Sequence, residues 1–439
     1  MKPYTYFIVT LGCQMNERDS ETIAGILDTL DMYPAREAWE ARVLVINTCS
    51  VRAKPEEKAY SRLGQWHTLK QDDPRRIIVV AGCMSQVAAA DIAQRAPYAD
   101  IVIGPRNLGQ LQQAISQRIA DNTGDPIVIV DNTDLLPEGL PAHHSDGISA
   151  FVNINYGCDN YCAYCIVPYA RGPEVSRIPA EVIAECRDAL ETGYVEITLL
   201  GQNVNSYGHD LHPTMEFADL LLEVGALPGL RRLRFTTSHP KDISWRLLQT
   251  MTAIPALCEH LHLPIQSGDN EILTRMGRGY TCEHFTQIVS AARTVMPAIS
   301  VTTDVMVGFP GETTAQFDNT MRAFHSIRFD QAFMFKYNDR PGTRAAEIPD
   351  KVPEEEKQHR LAELIELQNN IGRDINRATQ GQVFEVLVEG PDRKTPGALR
   401  GRTRQNKIMI FPATTDLTGR IVNVRAGEGF LWGHTGELA

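Results

Sequence analysis

The sequence lacks the long apolar runs of membrane and exported proteins. No stretch of eighteen apolar residues occurs in its 439 residues, so we expect no transmembrane helix and no membrane partner. The segment from Met1 to Tyr6 lacks the apolar core and small-residue cleavage site of a signal peptide. With 43% hydrophobic and 22% charged residues, the chain is expected to be a cytoplasmic globular protein, and its length predicts two or three domains.

An even set of cysteines and a positive net charge are also missing. Nine cysteines in a long chain without an export signal argue against a disulfide framework and favour thiolates that bind metal or take part in chemistry. The net charge of −11 by itself counts against a nucleic-acid partner. Residues 378–439, however, carry eight Lys and Arg against six Asp and Glu. This local excess of positive charge is compatible with a basic face on that part of the protein.

Three apolar runs in the predicted first domain, residues 1–131, each lead to a cysteine. Tyr6–Thr10 precedes Cys13, Val43–Asn47 precedes Cys49, and Ile77–Ala81 precedes Cys83. These spacings suit βαβ units and an open parallel α/β sheet, whose strands end at one edge. A buried structural role is the alternative for any one of the cysteines. Three soft thiolates at matching strand ends favour an iron–sulfur cluster or zinc.

Two local features of this region also give predictions. Ile23, Ile26, Leu27 and Leu30 share one helical face after Asp19 and Ser20, which we expect to cap that helix. Turn formers fill residues 132–147 and predict a linker. His143 and His144 lie on it, and we expect them to belong to the linker rather than to a metal site.

Strand-like and helix-like segments alternate through the central domain, residues 148–376. The predicted strands are Phe151–Asn155, Val195–Leu200, Arg232–Thr236, Leu261–Ile265, Ser300–Val307 and Gln331–Lys336. Helices are predicted at Pro179–Thr192 and Pro353–Ile371. Six such repeats indicate a partial (β/α)6 barrel of the TIM type.

The first strand of this barrel leads to three closely spaced cysteines, Cys158, Cys162 and Cys165. Three thiolates can bind three irons of a [4Fe–4S] cubane and leave the fourth open to a ligand. A zinc knuckle with a ligand from elsewhere is the alternative, and the glycine-rich segments after neighbouring strands weigh against it. Cys186, Cys258 and Cys282 lack ligand spacing and are predicted to be core thiols.

Residues 378–439 change to short β-type runs that predict a small antiparallel barrel. These runs are Phe384–Val388, Lys407–Phe411 and Arg420–Arg425. A turn from Leu399 to Lys407 is predicted to present four cations, Arg400, Arg402, Arg404 and Lys407, to RNA phosphates. A solvated charged loop is the alternative.

These motifs together resemble the methylthiotransferases of the radical S-adenosylmethionine superfamily, in particular the MiaB type, the tRNA-2-methylthio-N6-dimethylallyladenosine synthases. The matching segments are Thr10–Glu21, Asn47–Arg52, Ala81–Met84, the CxxxCxxC loop, His262–Gly268, Met276–Thr281 and Gly401–Lys407. The tail resembles a TRAM domain, an RNA-binding module. Ala170, Asn338 and Arg344 depart from the family pattern, but none of them is a ligand cysteine.

The resemblance implies two [4Fe–4S] clusters and S-adenosylmethionine as cofactors. Cys158, Cys162 and Cys165 would hold the cluster that cleaves S-adenosylmethionine to a 5′-deoxyadenosyl radical, and Cys13, Cys49 and Cys83 an auxiliary cluster that carries the sulfur. The cofactor would lie against Gly201, Gln202, Asn203, Gln266 and Gly308. The implied product is methylthiolated N6-isopentenyladenosine, 3′ of the tRNA anticodon.

The resemblance also implies partners and leaves alternatives. A low-potential electron donor such as flavodoxin or ferredoxin, a sulfur donor and tRNA are expected, with the chain acting as a monomer. Relatives that modify threonylcarbamoyladenosine differ at Gln14 and Met15, and the enzyme that modifies a ribosomal aspartate has proline after its first cysteine. A zinc-containing RNA-binding protein and a two-cluster electron carrier are the functional alternatives.

Overall fold

The computed structural model describes residues 4–50, 53–121, 124–131, 139–141, 143 and 147–439. These fall into two compact units: unit 1 comprises the described parts of Met1–Asp146, Asn155–Asp159 and Cys165–Arg177, and unit 2 those of Gly147–Ile154, Asn160–Tyr164 and Ile178–Ala439. Within these ranges, no helix is long and apolar enough to cross a membrane. Most of the predicted linker, His144 included, falls outside the described residues, while His143 contacts Asp28 at 2.9 Å between Nδ1 and Oδ2.

Unit 1 contains the predicted parallel sheet, with strands in the order β2-β1-β3-β4-β5-β6. Its strands are β1 (Thr5–Leu11), β2 (Tyr33–Pro34), β3 (Val43–Thr48), β4 (Ile77–Ala81), β5 (Ile101–Ile103) and β6 (Ile127–Ile129), and its helices are α1 (Gln14–Asp28), α2 (Ala53–Asp72), α3 (Cys83–Val87), α4 (Ala89–Arg95) and α5 (Leu111–Ala120). Separate apolar clusters cover its two faces. Burial on both faces explains why the first four residues of β3, Val43–Ile46, and the whole of β4 are continuously apolar.

The first helix begins earlier than predicted. Cys13 stands at its N-cap, so Asp19 and Ser20 are not caps but buried residues inside α1. The prediction was wrong because these two side chains have tertiary partners: Ser20 Oγ lies 2.7 Å from Thr10 Oγ1, and Asp19 is paired with Arg171. A polar residue within a helix is tolerated when a distant group satisfies it.

The chain from Gly147 to Arg177 contributes to both units. Strand β7 (Ser149–Asn153) belongs to unit 2. The short antiparallel pair β8 (Asn155–Tyr156) and β9 (Val175–Ser176) belongs to unit 1, together with helix α6 (Val167–Arg171). The CxxxCxxC loop therefore lies in the segment that follows β7, the first strand of the central domain.

Unit 2 confirms the six predicted parallel strands, arranged as two three-stranded sheets. The further strands are β10 (Glu196–Leu200), β11 (Arg232–Thr236), β12 (His260–His262), β13 (Ser300–Val307) and β14 (Gln331–Lys336), in the orders β11-β10-β7 and β12-β13-β14. The helices are α7 (Pro179–Glu191), α8 (Phe217–Gly225), α9 (Trp245–Ala253), α10 (Asn270–Met276), α11 (Cys282–Val295), α12 (Thr314–Ile327) and α13 (Glu354–Ala378). An isolated parallel bridge pairs Leu233 of β11 with Leu257, which precedes β12.

One face of these strands packs against the helices and the other is more polar. On β13, Val301, Val305 and Val307 join the main apolar cluster, whereas Thr302 and Asp304 alternate with them. Cys186 is 0% exposed in the same cluster, and Cys258 is 3% exposed. Both are core thiols, as the sequence predicted.

The C-terminal segment forms the predicted small barrel, which is closed in the order β15-β16-β17-β19-β18. Its strands are β15 (Val383–Pro391), β16 (Ala398–Thr403), β17 (Ile408–Pro412), β18 (Ile421–Phe430) and β19 (Gly433–Leu438). All its strand pairs are antiparallel except β17 with β19. The predicted turn over 399–407 was wrong in part, because residues up to Thr403 form β16, which pairs with β15 on one side and β17 on the other.

Two buried arginines of β11 tie the small barrel to the central strands within unit 2. Arg232, 0% exposed, donates from Nη1 to the carbonyl of Arg402 at 2.8 Å and from Nη2 to the carbonyl of Glu385 at 3.0 Å. Arg234 donates from Nη2 to the carbonyl of Thr403 at 2.8 Å. Because buried donors must find acceptors, these contacts fix the barrel against the N-terminal part of β11.

Candidate cluster and cofactor sites

Cys13, Cys49 and Cys83 meet at one edge of the unit 1 sheet. Cys13 follows β1, Cys49 directly follows β3, and Cys83 begins α3 after β4, and these three strands are neighbours. The Cys49 thiol forms a hydrogen bond with Cys13. Cys13 is exposed, whereas Cys49 and Cys83 are buried. The structure thus brings together the three cysteines that the strand spacing predicted to converge.

Asn47 holds the three cysteine segments close to one another. Its Nδ2 donates to the carbonyl of Asn16 on α1 at 2.8 Å, and its Oδ1 accepts from Asn16 Nδ2 at 3.1 Å. A Cβ atom at Gly82, where φ is +93°, would lie 2.3 Å from that Oδ1. Only glycine permits both this backbone conformation and this approach, so the Gly-Cys pair of the third segment has a structural reason.

A buried ion pair lies beside these cysteines. Arg171, at the end of α6, is 3% exposed and donates from Nη2 to Asp19 Oδ2 at 2.6 Å. Burial opposes the charge of Arg171, but Asp19 and the neighbouring thiols raise its pKa well above the usual value. The hydrogen bond from Cys49 lowers the pKa of Cys13 to about 6, and Arg171 adds to this effect. Burial raises the pKa of Cys83, and Arg171 opposes the rise.

The CxxxCxxC loop, which carries Cys158, Cys162 and Cys165, is closely packed at its first residues. Gly157 has a φ of +74°, and a Cβ atom there would lie 1.9 Å from the carbonyl oxygen of Pro173. Cys158 then donates its N–H to the carbonyl of Gly172 at 3.1 Å. Cys158 and Cys162 are buried and Cys165 is half-buried. The glycine before the first cysteine is therefore required for the loop to start in this geometry.

In unit 2, a fixed guanidinium contacts one of these thiols. Arg278 Nη1 lies 3.3 Å from Sγ of Cys162, Nη2 donates to the carbonyl of Pro264 at 3.3 Å, and Nε donates to Tyr280 Oη at 3.2 Å. Arg278 is 5% exposed. A buried cation in hydrogen-bond contact with sulfur stabilises the thiolate that a metal requires.

A group of buried polar atoms follows β10 and β11, and the sequence had given it no specific role. Asn205 Nδ2, Thr237 Oγ1, Ser238 Oγ and His239 Nε2 lack a hydrogen-bond partner among the described residues. Burial first, then Arg278 and Lys241, lower the pKa of His239 to about 2. Because His239 Nδ1 accepts from the Lys241 N–H at 3.3 Å, the neutral ring carries its proton on Nε2.

The residues predicted to contact S-adenosylmethionine also lie after strand ends of unit 2. Gly201, Gln202 and Asn203 follow β10, Gln266 lies between β12 and β13, and Gly308 follows β13. Gln266 has a φ of 62°, which is uncommon for a residue with a side chain and occurs at functional sites. Its N–H donates to the carbonyl of Asp304 at 2.9 Å. Contact of these five residues with the cofactor remains a prediction.

Carboxylates already pair with the four cations predicted to meet RNA. Arg404 Nε lies 2.8 Å from Oε2 of Glu259, Lys407 Nζ lies 2.9 Å from Oδ1 of Asp330, and Arg402 Nε and Arg400 Nε lie 2.7 and 3.6 Å from the carboxylate of Glu389. Arg404 also donates from Nη2 to the carbonyl of Leu257 at 2.6 Å. Arg404 and Lys407 therefore help to attach the small barrel to the central strands, and their contact with phosphate remains a prediction.

The described cysteines are not arranged around a single ion. Among the residues that the structure describes, no three His, Cys, Asp or Glu side chains stand close enough to hold one metal ion. A [4Fe–4S] cubane does not require this arrangement, because each thiolate binds a different iron.

Three family models match successive parts of the chain. Residues 5–104 match the uncharacterized protein family UPF0004, residues 152–324 match the Radical SAM superfamily, and residues 377–429 match the TRAM domain. The second match covers the strands around the CxxxCxxC loop, and the third covers most of the small barrel. The order of the three matches agrees with the architecture predicted from the sequence.

Curated relatives match over the full length. The tRNA-2-methylthio-N(6)-dimethylallyladenosine synthase of Moorella thermoacetica is 47% identical, over 99% of this chain and 98% of that protein. The chain belongs to the tRNA-2-methylthio-N(6)-dimethylallyladenosine synthase family. The synthase of Carboxydothermus hydrogenoformans is 44% identical over the whole of both proteins, and that of Syntrophomonas wolfei is 45% identical over 100% of this chain and 98% of that protein.

Solved structures share the fold of this synthase family member at low sequence identity. The radical S-adenosylmethionine methyltransferase TsrM from Kitasatospora setae aligns with a TM-score of 0.55 and 13% identity, over 78% of this chain and 74% of that one. The cobalamin-dependent S-adenosylmethionine radical enzyme OxsB aligns with a TM-score of 0.54 and 10% identity, over 84% and 56%. At such identities the likeness concerns the fold alone.

Proposed function

We propose that this chain is a radical S-adenosylmethionine tRNA methylthiotransferase that adds sulfur and a methyl group at C2 of N6-isopentenyladenosine, next to the anticodon. The observation that carries this proposal is the full-length identity of 47% to a synthase of that name. The three cysteines that meet at the edge of the unit 1 sheet support it, since a methylthiotransferase needs a sulfur-carrying site besides its radical site.

The residues present fit two iron–sulfur clusters and S-adenosylmethionine. Cys158, Cys162 and Cys165 are spaced to hold three irons of one cubane, and Cys13, Cys49 and Cys83 would hold the auxiliary cluster. The unpartnered atoms after β10 and β11 suit the hydroxyl, amino and carboxylate groups of S-adenosylmethionine. When bound, these groups supply a radical that removes the C2 hydrogen and a sulfur that replaces it.

The protein's own side chains bind and position the cluster and the cofactor. The C2–H bond of adenine is not acidic, so general acid–base catalysis has no proton to remove there. Arg278 holds the sulfur of Cys162, and the neutral His239 presents an N–H donor at the strand ends. Gln202, Asn203, Gln266, Gly201 and Gly308 would orient the cofactor from neighbouring strand ends.

The partners follow from the same chemistry. The TRAM match supports tRNA binding through the small barrel, with Arg400, Arg402, Arg404 and Lys407 as proposed phosphate contacts. A low-potential donor such as flavodoxin or ferredoxin would supply electrons, and a separate sulfur donor would recharge the auxiliary site. We propose that the chain acts as a monomer. We also place its activity in the cytoplasm, a reducing compartment that suits its nine free cysteines.

Nucleoside analysis by mass spectrometry tests this proposal. The anaerobically reconstituted protein is incubated with S-adenosylmethionine, a reductant and tRNA carrying either N6-isopentenyladenosine or threonylcarbamoyladenosine. We expect the methylthio product from the first tRNA only. A product from the second tRNA would favour the alternative substrate, and the absence of product from both would contradict the proposal.

A further inference from the structure

At the three-cysteine edge of unit 1, one terminal nitrogen of the Arg171 guanidinium is hydrogen-bonded and the other is not. Nη2 donates to Asp19 at 2.6 Å, and the two side chains are 4% and 5% exposed. Nη1 is buried and has no hydrogen-bond partner among the described residues. Because a buried donor without an acceptor is costly, we expect a ligand to supply an acceptor for Nη1.

The surroundings of Nη1 indicate what kind of ligand it would meet. Besides Asp19, the groups that act on Arg171 are the thiols of Cys13 and Cys83, which become anionic thiolates when they ligate a cluster. Cys83 also forms a hydrogen bond with the Arg171 guanidinium, so a ligand of Nη1 would lie next to that sulfur. Arg171 is 3% exposed, which leaves too little access for a phosphate of a folded RNA. A guanidinium prefers anions and remains charged when it is buried. The acceptor is therefore a small anion held beside the three thiols.

We propose that Arg171 Nη1 binds the anionic sulfur species, a sulfide or thiolate, that is carried at the three-cysteine site. This inference rests on the proposed function, since it takes Cys13, Cys49 and Cys83 as ligands of a cluster with one open iron. Arg171 is then a positioning residue that holds the sulfur through a charge-assisted hydrogen bond. Asp19 orients the guanidinium and balances part of its charge.

A binding titration tests this role without turnover. The full chain carrying Cys158→Ala, Cys162→Ala and Cys165→Ala retains only the auxiliary cluster. Sodium methanethiolate is added to the reduced protein, and binding is followed by the change in the electron paramagnetic resonance spectrum of the cluster. We expect Arg171→Met to weaken methanethiolate binding by about tenfold to hundredfold. Asp19→Asn leaves the guanidinium charge uncompensated and should bind as tightly or more tightly.

Control variants separate positioning from a structural role. Arg95 is an exposed arginine of the same unit, and Arg95→Met should leave binding unchanged. Equal weakening by Arg171→Met and Asp19→Asn would overturn the proposal, because it would assign the pair to folding alone. If Arg171→Met does not assemble the cluster, Arg171→Gln replaces it, and unchanged affinity in that variant would equally overturn the proposal. Failure of the background protein to assemble any cluster would contradict the proposed function itself.

Discussion

Arg278 Nη1 lies 3.3 Å from the sulfur of Cys162, and this guanidinium is held in place by Pro264 and Tyr280. A hydrogen bond from a cation to a cluster thiolate stabilises the reduced, more negative cluster and therefore raises its reduction potential. The contact thus links a residue outside the CxxxCxxC loop to the ease with which the radical-forming cluster accepts an electron.

Replacing Arg278 by methionine should lower the potential of this cluster and slow 5′-deoxyadenosine formation by about tenfold, the effect of one charge-assisted hydrogen bond. A redox titration followed by electron paramagnetic resonance measures the first effect, and chromatography of the nucleoside measures the second. Arg322 is an exposed arginine of α12, so Arg322→Met serves as the control. An unchanged potential in Arg278→Met would contradict this role.

Replacing Cys162 by alanine should remove about half of the bound iron, because one of two cubanes loses a ligand. Iron and sulfide analysis of the anaerobically prepared protein checks this. Cys282, which lies at the start of α11 and lacks ligand spacing, provides the control, and Cys282→Ala should keep the full iron content. Retention of all iron in Cys162→Ala would show that Cys162 is not a ligand.

Replacing Cys49 by alanine should separate radical formation from sulfur insertion. Cys49 directly follows β3 and lies beside Cys13, and its loss should disable the auxiliary cluster alone. We expect 5′-deoxyadenosine to form while the methylthio nucleoside is absent, both measured in one reaction by mass spectrometry. Persistence of the methylthio product would exclude the three-cysteine site as the sulfur donor.

Replacing Arg232 by methionine should loosen the small barrel from the central strands. The change leaves the carbonyls of Arg402 and Glu385 without their donor, which costs about 2–4 kcal/mol. The midpoint of the urea unfolding transition should move to a lower urea concentration. Arg231 is its exposed neighbour, and Arg231→Met should leave that transition unchanged. Similar shifts in both variants would contradict the role given to Arg232.

The pKa of His239 implies a loss of stability in mild acid. Burial lowers this pKa to about 2 in the folded protein from a usual 6.5, so only the unfolded chain takes up the proton between these values. The contribution of His239 to the free energy of unfolding is fully present above pH 6.5. It falls as the pH decreases through that window, by about 1 kcal/mol from pH 6.5 to about 5.5.

Urea unfolding at several pH values measures this effect. His239→Asn keeps an acceptor for the Lys241 N–H and removes the titrating ring, so its unfolding should depend less on pH. His209 is exposed, and His209→Asn should retain the pH dependence of the unsubstituted protein. A His239→Asn variant with that same dependence would show that His239 does not titrate on unfolding.

The sequence predicted those strands whose pattern is set by local burial. The bounds of β4, β11, β13 and β14 agree with prediction, because their apolar residues are either continuous or alternate between two faces. β16 was missed since Arg400 and Arg402 alternate along it and indicated a polar turn. Its position depends on pairing with β15 and β17, which the local pattern does not reveal.

The candidate sites divide in a similar way. The convergence of Cys13, Cys49 and Cys83 followed from parallel strand ends, so their spacing along the chain was sufficient. Arg171 stands 152 residues from Asp19, and only the folded chain shows that it pairs with a residue predicted to be a helix cap. The sequence offered one signal for the arginines at the two cysteine sites. Both stand beside glycine, in Arg171-Gly172 and in Gly277-Arg278-Gly279.

Deuterium transfer tests the central claim most directly. Isopentenylated tRNA with deuterium at C2 of the target adenosine is incubated with the reconstituted protein, S-adenosylmethionine and reductant, and the nucleosides are analysed by mass spectrometry. The account predicts deuterium in 5′-deoxyadenosine and a methylthio group at the position that lost it. Formation of the methylthio nucleoside with 5′-deoxyadenosine free of deuterium would contradict it.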